Sequence, residues 1–380
     1  MKFDDNTLYN IQSAVPGIRY SLFDLAVWKN GLPFKKINFS DTGVPVIKIA
    51  ELNNGIGGTT AYTNQIFSEE VHLHKGDLLF SWSGNPETSI DIFRFNLEEG
   101  WLNQHIFKVT PNEEIVDRDY FYFLMKNLKP HFTQIATNKQ TTGLGHVTIA
   151  DIKRMSVVLP SLSDQRKIVS YIKPVDDKIT LNQQINDNLL QQAQAIYCDM
   201  FISNANPSWP LGRLSDLITV RYGKDHKKLS DGIYPVYGSG GIMRYVERPL
   251  YDRESVLIPR KGTLNNVMYV NEPFWSVDTM FFTEMKLPNV AKFVFHFVKS
   301  KDLASLNAGS AVPSMTIDIL NGMELSIPDS DTFAKFESIV APMYLTIQQN
   351  TQESGKLAEL RDSLLPRLMS GELNISALDL

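Results

Sequence analysis

Polar side chains that can hydrogen bond to nucleobases cluster in three glycine-containing segments in the second half of the sequence. These segments read YGKDHKK, VYGSGGIMR and IPRKGTLNN. Arginine, lysine and asparagine bond to base edges, and cationic side chains also contact phosphates, so such clusters indicate binding to nucleic acid. The candidate contact residues of this half are Lys224, His226, Lys227, Lys228, Tyr237, Ser239, Arg244, Arg260, Lys261, Asn265 and Asn266.

The first half of the sequence carries a comparable but less basic set, in the segments AELNNG, FSWSGNPE and TNKQTTGLGH. The candidates here are Asn53, Asn54, Trp82, Ser83, Asn85, Asn138, Lys139, Gln140 and Thr141. Any one of these could be an ordinary solvated loop residue. Their clustering in segments that correspond between the two halves favours a shared binding role.

The sequence contains fragments of catalytic motifs, but none of them is complete. NEPFW, at residues 271–275, resembles the N-P-P-[FY] motif of adenine methyltransferases, but Glu272 replaces a proline and no glycine-rich cofactor motif lies upstream. The GxxxxGK[ST] motif of ATPases is absent. The seven histidines show no metal-ligand spacing, and HLH, at residues 72–74, reads as a strand edge at the surface. The sequence therefore predicts no catalytic residue, no metal site and no cofactor in this chain.

The composition is that of a globular protein of 380 residues, 43% hydrophobic and 21% charged, which suits two or three domains. A net charge of −5 excludes a generic polyanion binder but allows a sequence reader with local basic patches. The single cysteine, Cys198, is expected to serve packing. Because no export signal and no membrane-spanning run is recognisable, we expect a cytoplasmic protein.

The sequence repeats itself with an offset of 168 residues. Between residues 147–197 and 315–365, ten of about fifty aligned pairs are identical, against roughly three expected at random. Upstream, GDLLFSWSG at residues 76–84 aligns with ESVLIPRKG at residues 254–262. Trp101 likewise aligns with Trp275. The repeat predicts two similar domains, each with its own core.

Each repeat contains a strand-rich region followed by a long helix. Strands are indicated by VPVIKIAEL, DLLFSW, NQHIFKV and MSVVLP in the first half, and by YPVYGS, SVLIP, NVMYV and MELSIP in the second. Helices are indicated by DRDYFYFLMKNLKPHF and NVAKFVFHFVKS. Ser161 and Asp164 form a capping pattern at the start of the first long helix, and Asp329 takes the corresponding place in the second.

Apolar residues recur at alternating spacings of four and three along both long helices, from Ile168 to Met200 and from Phe336 to Leu368. This heptad pattern predicts two antiparallel, coiled-coil-like helices. Pro174 and Pro342 interrupt the pattern and predict a kink or a break, because proline removes a helical hydrogen bond.

Asn182, Asn186 and Asn350 also fall on this apolar seam. Two interpretations are open for these asparagines. They could fix the register of the helix pair from a buried position, as buried asparagine does in coiled coils, or they could be solvated on a seam that rotates outward.

Four motifs give the chain a resemblance to the specificity subunits of Type I restriction-modification systems. They are LPSLSDQRKIVSYI, DDKITLNQQINDNL, WPLGRLSDLI and LLPRLMSGEL, in this order along the chain. The resemblance implies an α+β fold in which two mixed α/β target-recognition domains form a pseudo-two-fold repeat, separated by two long antiparallel coiled-coil-like helices. The expected boundaries are residues 1–158 and 206–327 for the recognition domains, and residues 159–205 and 328–380 for the helical regions.

The same resemblance implies a non-catalytic subunit that recognises a bipartite target in double-stranded DNA. Its implied partners are two methylation subunits and, through the assembled complex, restriction/translocase subunits, with no membrane. Two alternatives stay open at this point. A bivalent scaffold that binds proteins would use the same architecture, and a free-standing DNA-modifying enzyme would need a site that the motifs do not reveal.

Overall fold

The computed structural model describes residues 9–11, 17–57, 60–140, 143–306 and 314–373. The chain forms two compact units. The first unit contains residues 1–180 and 353–380, and the second contains residues 181–352. Each unit therefore contains one α/β domain and one half of each long helix.

The first unit is built from short strands and mostly short helices. Its strands are β1 (Tyr9–Ile11), β2 (Ile18–Ser21), β3 (Ala26–Asn30), β4 (Val44–Ile47), β5 (Tyr62–Thr63), β6 (His72–His74), β7 (Leu78–Ser81), β8 (Ser83–Gly84), β9 (Asp91–Arg94), β10 (Glu99–Leu102), β11 (Ile106–Pro111), β12 (Gly145–His146) and β13 (Met155–Leu159). Its helices are α1 (Ile49–Asn54), α2 (Arg118–Asn127), α3 (Lys129–Asn138) and α4 (Ile149–Arg154), together with the first half of α5 (Leu162–Cys198). Single 3-10 turns lie at Leu22–Leu25, Lys36–Asn38 and Glu69–Val71.

The second unit has a similar inventory of elements. Its strands are β14 (Leu211–Arg213), β15 (Ile218–Tyr222), β16 (Asp231–Gly238), β17 (Gly241–Val246), β18 (Ser255–Pro259), β19 (Met268–Val270), β20 (Trp275–Ser276), β21 (Met280–Met285) and β22 (Glu324–Ser326). Its helices are α6 (Leu214–Leu217), α7 (Ala291–Lys299) and α8 (Ile317–Asn321), together with the first half of α9 (Ser330–Met369). A π-helical turn, Asp199–Ser203, follows α5.

The strand order shows that the main sheets of the two domains have the same topology. An antiparallel sheet has the order β3-β11-β7-β9 in the first domain and β15-β21-β18-β19 in the second. A parallel pair also recurs, with Trp101 opposite Val46 in one domain and Trp275 opposite Val236 in the other. The sequence alignment of the two tryptophans therefore has a structural basis.

Each domain packs one large apolar core beneath the long helices. In the first domain this core contains Phe121 and Phe132 from α2 and α3, and Ile168 and Leu368 from the long helices. The second domain repeats the arrangement with a core from α7, α5 and α9 that includes Phe293, Tyr197 and Phe336. Truncating one such buried phenylalanine to alanine typically costs about 3–5 kcal/mol of stability, so these cores fix each domain on the helices.

The predicted caps at the start of both long helices are confirmed. The Asp164 N–H donates to Ser161 Oγ over 3.2 Å, and the Thr332 N–H donates to Asp329 Oδ1 over 2.8 Å. In the first unit, the buried Gln165 adds a link to α2, because its Oε1 accepts from the Asp117 N–H over 2.8 Å.

Helices α5 and α9 continue without interruption through Pro174 and Pro342. Of the predicted kink or break, the break is therefore wrong, and the kink stays a prediction. The two helices run antiparallel, because a residue in the first half of α5 contacts a residue in the second half of α9. Asp176 meets Arg361 at 2.9 Å in the first unit. The described parts of each unit thus contain an antiparallel helix pair, and the predicted fold class of a duplicated α/β domain with two long antiparallel helices is confirmed.

The asparagines on the seam bond between the helices of the second unit. Asn350 Nδ2 donates to Asn186 Oδ1 over 2.9 Å, and Asn182 Nδ2 lies 3.4 Å from the Asn350 carbonyl oxygen. Asn182 is fully buried. The interpretation in which these side chains are solvated is therefore wrong for Asn182, and the cross-helix bonds favour the role in register.

One predicted strand, VPVIKIAEL, is only partly correct. The strand ends at Ile47, and the chain then turns into α1 (Ile49–Asn54). The cause is a local cap, since Glu51 Oε2 accepts from the Lys48 N–H over 3.0 Å. The DRDYFYFLMKNLKPHF segment likewise forms two helices, α2 and α3, that meet at Leu128.

Candidate nucleic-acid interface

The aligned loops after β7 and β18 share one backbone frame. Trp82 takes part in two backbone bonds in the first domain, in which its N–H donates to the His105 carbonyl and its carbonyl accepts from the Val147 N–H. Arg260 takes part in the same two bonds in the second domain, to Thr279 and from Met315. The four distances are 2.8–3.2 Å. The domains therefore present Trp82 and Arg260 at equivalent positions.

The next residue in each loop is also equivalent. Ser83 pairs with His146 through the β8–β12 ladder, and Lys261 forms an isolated bridge with Ser314. A glycine follows in both loops, with φ of +125° at Gly84 and +86° at Gly262, where a side chain would strain the backbone. Thus an aromatic and a hydroxyl side chain in one domain replace two cations in the other, on the same support.

Arg260 lies at the exposed end of the second domain's main sheet. Its Nη1 donates to the Asp278 carbonyl over 3.1 Å, and its guanidinium lies 5.3 Å from the centre of the Tyr222 ring. Lys224 and Lys261 are both exposed. The backbone N–H of Lys224 donates to the Ser276 carbonyl, which places this residue beside the same sheet. This edge offers one oriented guanidinium and two exposed ammonium groups, which suits contact with base edges and phosphates.

The two predicted asparagines of this loop support it rather than facing outward freely. Asn266 Nδ2 donates to the Ser239 carbonyl over 2.8 Å, which holds the β16–β17 turn against the loop. Asn265 bonds through both ends of its amide, donating to Asp302 and accepting from the Ala304 N–H, each over 3.0 Å. The structure therefore brings the Ser239 turn and the Arg260 loop together.

Other candidates of the second domain divide into engaged and exposed side chains. Arg244 pairs with Asp231 at 2.7 Å, and the Tyr237 hydroxyl donates to Glu272 over 2.9 Å. Burial, reinforced by the Glu272 carboxylate, raises the pKa of Tyr237, so this group stays a neutral hydrogen-bond donor. Three more candidates lie on the loop that precedes β16, where Lys227 and Lys228 are exposed and His226 is half-buried.

In the first domain the predicted segments at residues 53–54 and 82–85 are joined. Asn85 Oδ1 accepts from the backbone N–H groups of Glu87 and Thr88, and Asn53 Nδ2 donates to the Thr88 carbonyl over 3.2 Å. Asn53 and Asn54 are exposed and are the last two residues of α1. They therefore lie on a helix and not on the loop that the sequence suggested. These amides thus surround one turn.

Trp82 itself is held in a fixed orientation. Its Nε1 donates to Asn30 Oδ1 over 3.0 Å, and its ring stacks on Phe107 with a centroid distance of 5.8 Å. It is half-buried and leaves one surface exposed. A fixed aromatic ring can contact a thymine methyl group or a sugar, but it offers no cation to a phosphate.

The third predicted segment of the first domain follows α3. Asn138 ends that helix, and Asn138, Lys139 and Gln140 are exposed. Lys139 pairs with Asp151, with Nζ at 2.5 and 2.6 Å from the two carboxylate oxygens. Burial works to raise the pKa of Asp151, but the bonds from Lys139 and Thr148 outweigh it and the pKa lies below its usual value. Thr141 lies outside the described residues.

Sequence reasoning missed several exposed apolar residues beside these loops. Tyr222 supports Arg260 and is 53% exposed, and Ile242, Met243 and Tyr245 are exposed on β17. Their exposure was not predictable from the sequence, because a hairpin normally turns apolar residues toward the core. The register of the β16–β17 pair also shifts between Val236 and Tyr237, which breaks the simple alternation.

The expectation that the histidines have no metal-ligand spacing is wrong for one group. Ligand atoms of Glu69, His72 and His74 lie within 4.8 Å of one another. His72 and His74 are two residues apart on β6, so they share one face of the strand, and Glu69 reaches them from the preceding 3-10 turn.

The model of the Type I restriction modification DNA specificity domain matches residues 20–191 and 207–357 of this chain. The chain belongs to this family. The two matched segments correspond to the two copies of the α/β domain, each with part of a long helix, and so the family's domain occurs twice here.

Relatives of the family cover most of the chain. The Type I restriction enzyme HindI specificity subunit of Haemophilus influenzae is 21% identical over 414 residues, covering 79% of this chain and 87% of the relative. The MjaIX specificity subunit of Methanocaldococcus jannaschii is 21% identical over 322 residues, covering 73% of each chain. Among solved structures, the Type I restriction-modification S subunit from M. genitalium has a TM-score of 0.53 and 16% identity, over 94% of this chain and 97% of that one. This likeness shows that the fold is shared.

In the described residues, no helix has both the length and the apolar character that a membrane span requires.

Proposed function

We propose that this chain is the DNA sequence-specificity subunit of a Type I restriction-modification complex and that each α/β domain reads one half of a bipartite target. The observation that carries the proposal is the shared loop frame. The same two backbone bonds support Trp82 in one domain and Arg260 in the other, while the side chains differ. Two readers of different sequences need such a common support with different contact groups.

The second domain has the chemistry to read guanine. Arginine forms paired hydrogen bonds with the O6 and N7 atoms of guanine, and Arg260 is positioned for this by Asp278 and Tyr222. Lys224, Lys227, Lys228 and Lys261 would contact phosphates. The first domain, with Trp82, Ser83 and Asn85, would depend more on apolar and neutral polar contacts.

The two long helices would set the spacing between the half-targets and provide docking surfaces for two methylation subunits. In this proposal the chain is non-catalytic and cytoplasmic, and methylation and cleavage belong to partner chains, with the restriction subunits joining through the complex. The recognition domains would be residues 1–158 and 206–327, and the helical regions would be residues 159–205 and 328–380.

The proposal is tested with the complex of this chain and its partner methylation subunits. We expect methylation of one bipartite motif when the complex acts on DNA of random sequence, read out by sequencing of methylated positions. Methylation without sequence preference, or none with intact subunits, would contradict the proposal and favour a protein-binding scaffold.

The spacing role has its own test. A heptad inserted between Asn182 and Leu189 keeps the seam in phase but lengthens α5 by about 10 Å. We expect a changed number of base pairs between the half-targets, or loss of assembly. Unchanged spacing with full activity would exclude a ruler function for the helix.

A further inference from the structure

A compact group of imidazole and carboxylate side chains lies at one edge of the first domain, on β6 and the turn before it. Glu69 Oε1 lies 2.8 Å from His74 Nε2, and Glu69 Oε2 lies 3.4 Å from His72 Nδ1. In a tetrahedral zinc site with metal–ligand distances near 2.1 Å, adjacent ligand atoms are about 3.4 Å apart. One ligand atom of each of the three side chains lies within 4.8 Å of the others, so the three are close enough together to converge on one metal ion.

The second ring nitrogen of His72 is engaged in the way that metal ligands require. His72 Nε2 lies 3.2 Å from Glu99 Oε2, and β6 pairs with β10 so that His72 stands opposite Trp101. Metal-binding histidines usually donate their other ring N–H to a carboxylate, which fixes the tautomer and leaves a lone pair for the metal. When Nε2–H donates to Glu99, the lone pair of Nδ1 points to the side of Glu69.

The ring of His72 is also fixed in its plane. It stacks on the Trp101 indole with a centroid distance of 4.4 Å and an interplanar angle of 22°. His72 and Glu69 line a cavity of about 410 Å³ together with Thr63, Gln65, Phe67 and Trp101. The ligand set is thus partly preorganised and keeps one side open to a small molecule or water.

We propose that Glu69, His72 and His74 form a site for one borderline divalent transition-metal ion of the Zn²⁺ type, with Glu99 as the carboxylate that orients His72. Two imidazoles and one carboxylate are a ligand set that zinc accepts, with a fourth position left for water or an exogenous oxygen. The ion would tie the turn Glu69–Val71 to the edge strand β6 and so stiffen this side of the first domain.

The site would be specific to the first domain. The corresponding segment of the second domain, before β18, reads ERPLYDRE and contains no histidine. The metal would therefore act on one of the two domains only, and zinc-dependent effects should be confined to that domain.

The test is calorimetric titration of the full-length, chelator-treated chain with ZnCl₂. We expect saturable binding of a single equivalent that is lost in His74→Gln and in Glu69→Gln. Glu99→Gln should weaken binding by about 10–100-fold, because it removes only the orienting partner. Glu70→Gln is the matched control, since Glu70 is the neighbour of Glu69 but pairs with Lys29, and its zinc affinity should equal that of the unmodified chain.

A second measurement keeps the result independent of any folding defect in the variants. Zinc should raise the midpoint of thermal unfolding of the unmodified chain and of Glu70→Gln, but not that of His74→Gln. Absence of saturable binding below about 1 mM zinc would overturn the proposal. Equal losses in Glu69→Gln and Glu70→Gln would overturn it as well, and His72 would then serve as a simple bridge between Glu69 and Glu99.

Discussion

The two domains share one backbone topology and differ in polar chemistry, both at the loops that carry Trp82 and Arg260 and where each domain contacts the long helices. Positions 176 and 344 are equivalent in the repeat. Asp176 pairs with Arg361 at 2.9 Å in the first unit, whereas the Tyr344 hydroxyl bonds to His296 Nε2 over 2.9 Å in the second. The first contact is ionic and the second is neutral and deeply buried.

Burial explains why the contact between His296 and Tyr344 is neutral. His296 is fully buried and bonds to Gln194 through Nδ1 over 2.7 Å. Burial lowers the pKa of His296 to about 4, with a smaller contribution from Lys299. The comparison shows that a repeated backbone determines where each domain contacts the long helices but not the chemistry of that contact.

The largest expected difference in stability between the two units concerns Lys292. This side chain is 6% exposed and lies 2.7–2.8 Å from both Glu254 and Glu337. Lys292→Met leaves two partly buried carboxylates without their cation, which we expect to destabilise the second unit by about 3–5 kcal/mol. The measurement is urea unfolding with hydrogen exchange resolved to β18 and β21.

The comparison in the first unit is Asp119 of α2, which pairs with Arg94 at 2.6 Å but is 27% exposed. Asp119→Asn should cost less than half as much, because water screens the remaining charge. Equal losses of stability in Lys292→Met and Asp119→Asn would contradict this expectation, because the cost of removing a charged partner would then not depend on burial.

The reading loops should differ in the energy of a single contact. Arg260→Ala should weaken binding of the assembled complex to its target by about 1–3 kcal/mol, since a paired guanidinium–guanine contact is lost. Binding is measured by fluorescence anisotropy at fixed salt. Lys286→Ala is the control, because Lys286 follows the opposite end of β21 from Met280. Similar losses for the two variants would indicate general charge loss instead of base reading.

The buried contact between His296 and Tyr344 predicts that the stability of the second unit depends on pH. His296 is neutral when folded, but the unfolded chain binds a proton below about pH 6.5. Acidification from about pH 6.5 to pH 4 therefore favours unfolding, and stability should fall by about 1 kcal/mol for each pH unit in this window. His296→Phe removes the titrating group and should remove this slope in urea titrations at several pH values. A slope that persists unchanged would assign it to other groups.

Much of the fold follows from the sequence because it rests on local signals. The caps at Ser161 and Asp329 and the heptad seam depend on residues close in the chain, and the repeat is visible by comparing the sequence with itself. The loop alignment was also predictable, since a glycine with positive φ marks the same point at Gly84 and Gly262.

Side-chain engagement at the site could not be predicted in the same way. Arg244 is held by Asp231, and Lys139 by Asp151, through contacts that only the folded strands and helices create. Glu69, His72 and His74 lie within six residues of one another, so their spacing could have been recognised in the sequence. The contact of Glu99 with His72 could not, because Glu99 lies twenty-seven residues further along the chain and arrives through the pairing of β6 with β10.

The central claim is that each domain reads one half of the target independently. The most direct measurement is the methylation motif of the complex carrying Arg260→Ala and Lys261→Ala, determined by sequencing DNA of random sequence after methylation. We predict that one half of the motif loses its base preference while the other half and the spacing stay as in the unmodified complex. Relaxation of both halves together, or a motif that is unchanged, would contradict the account.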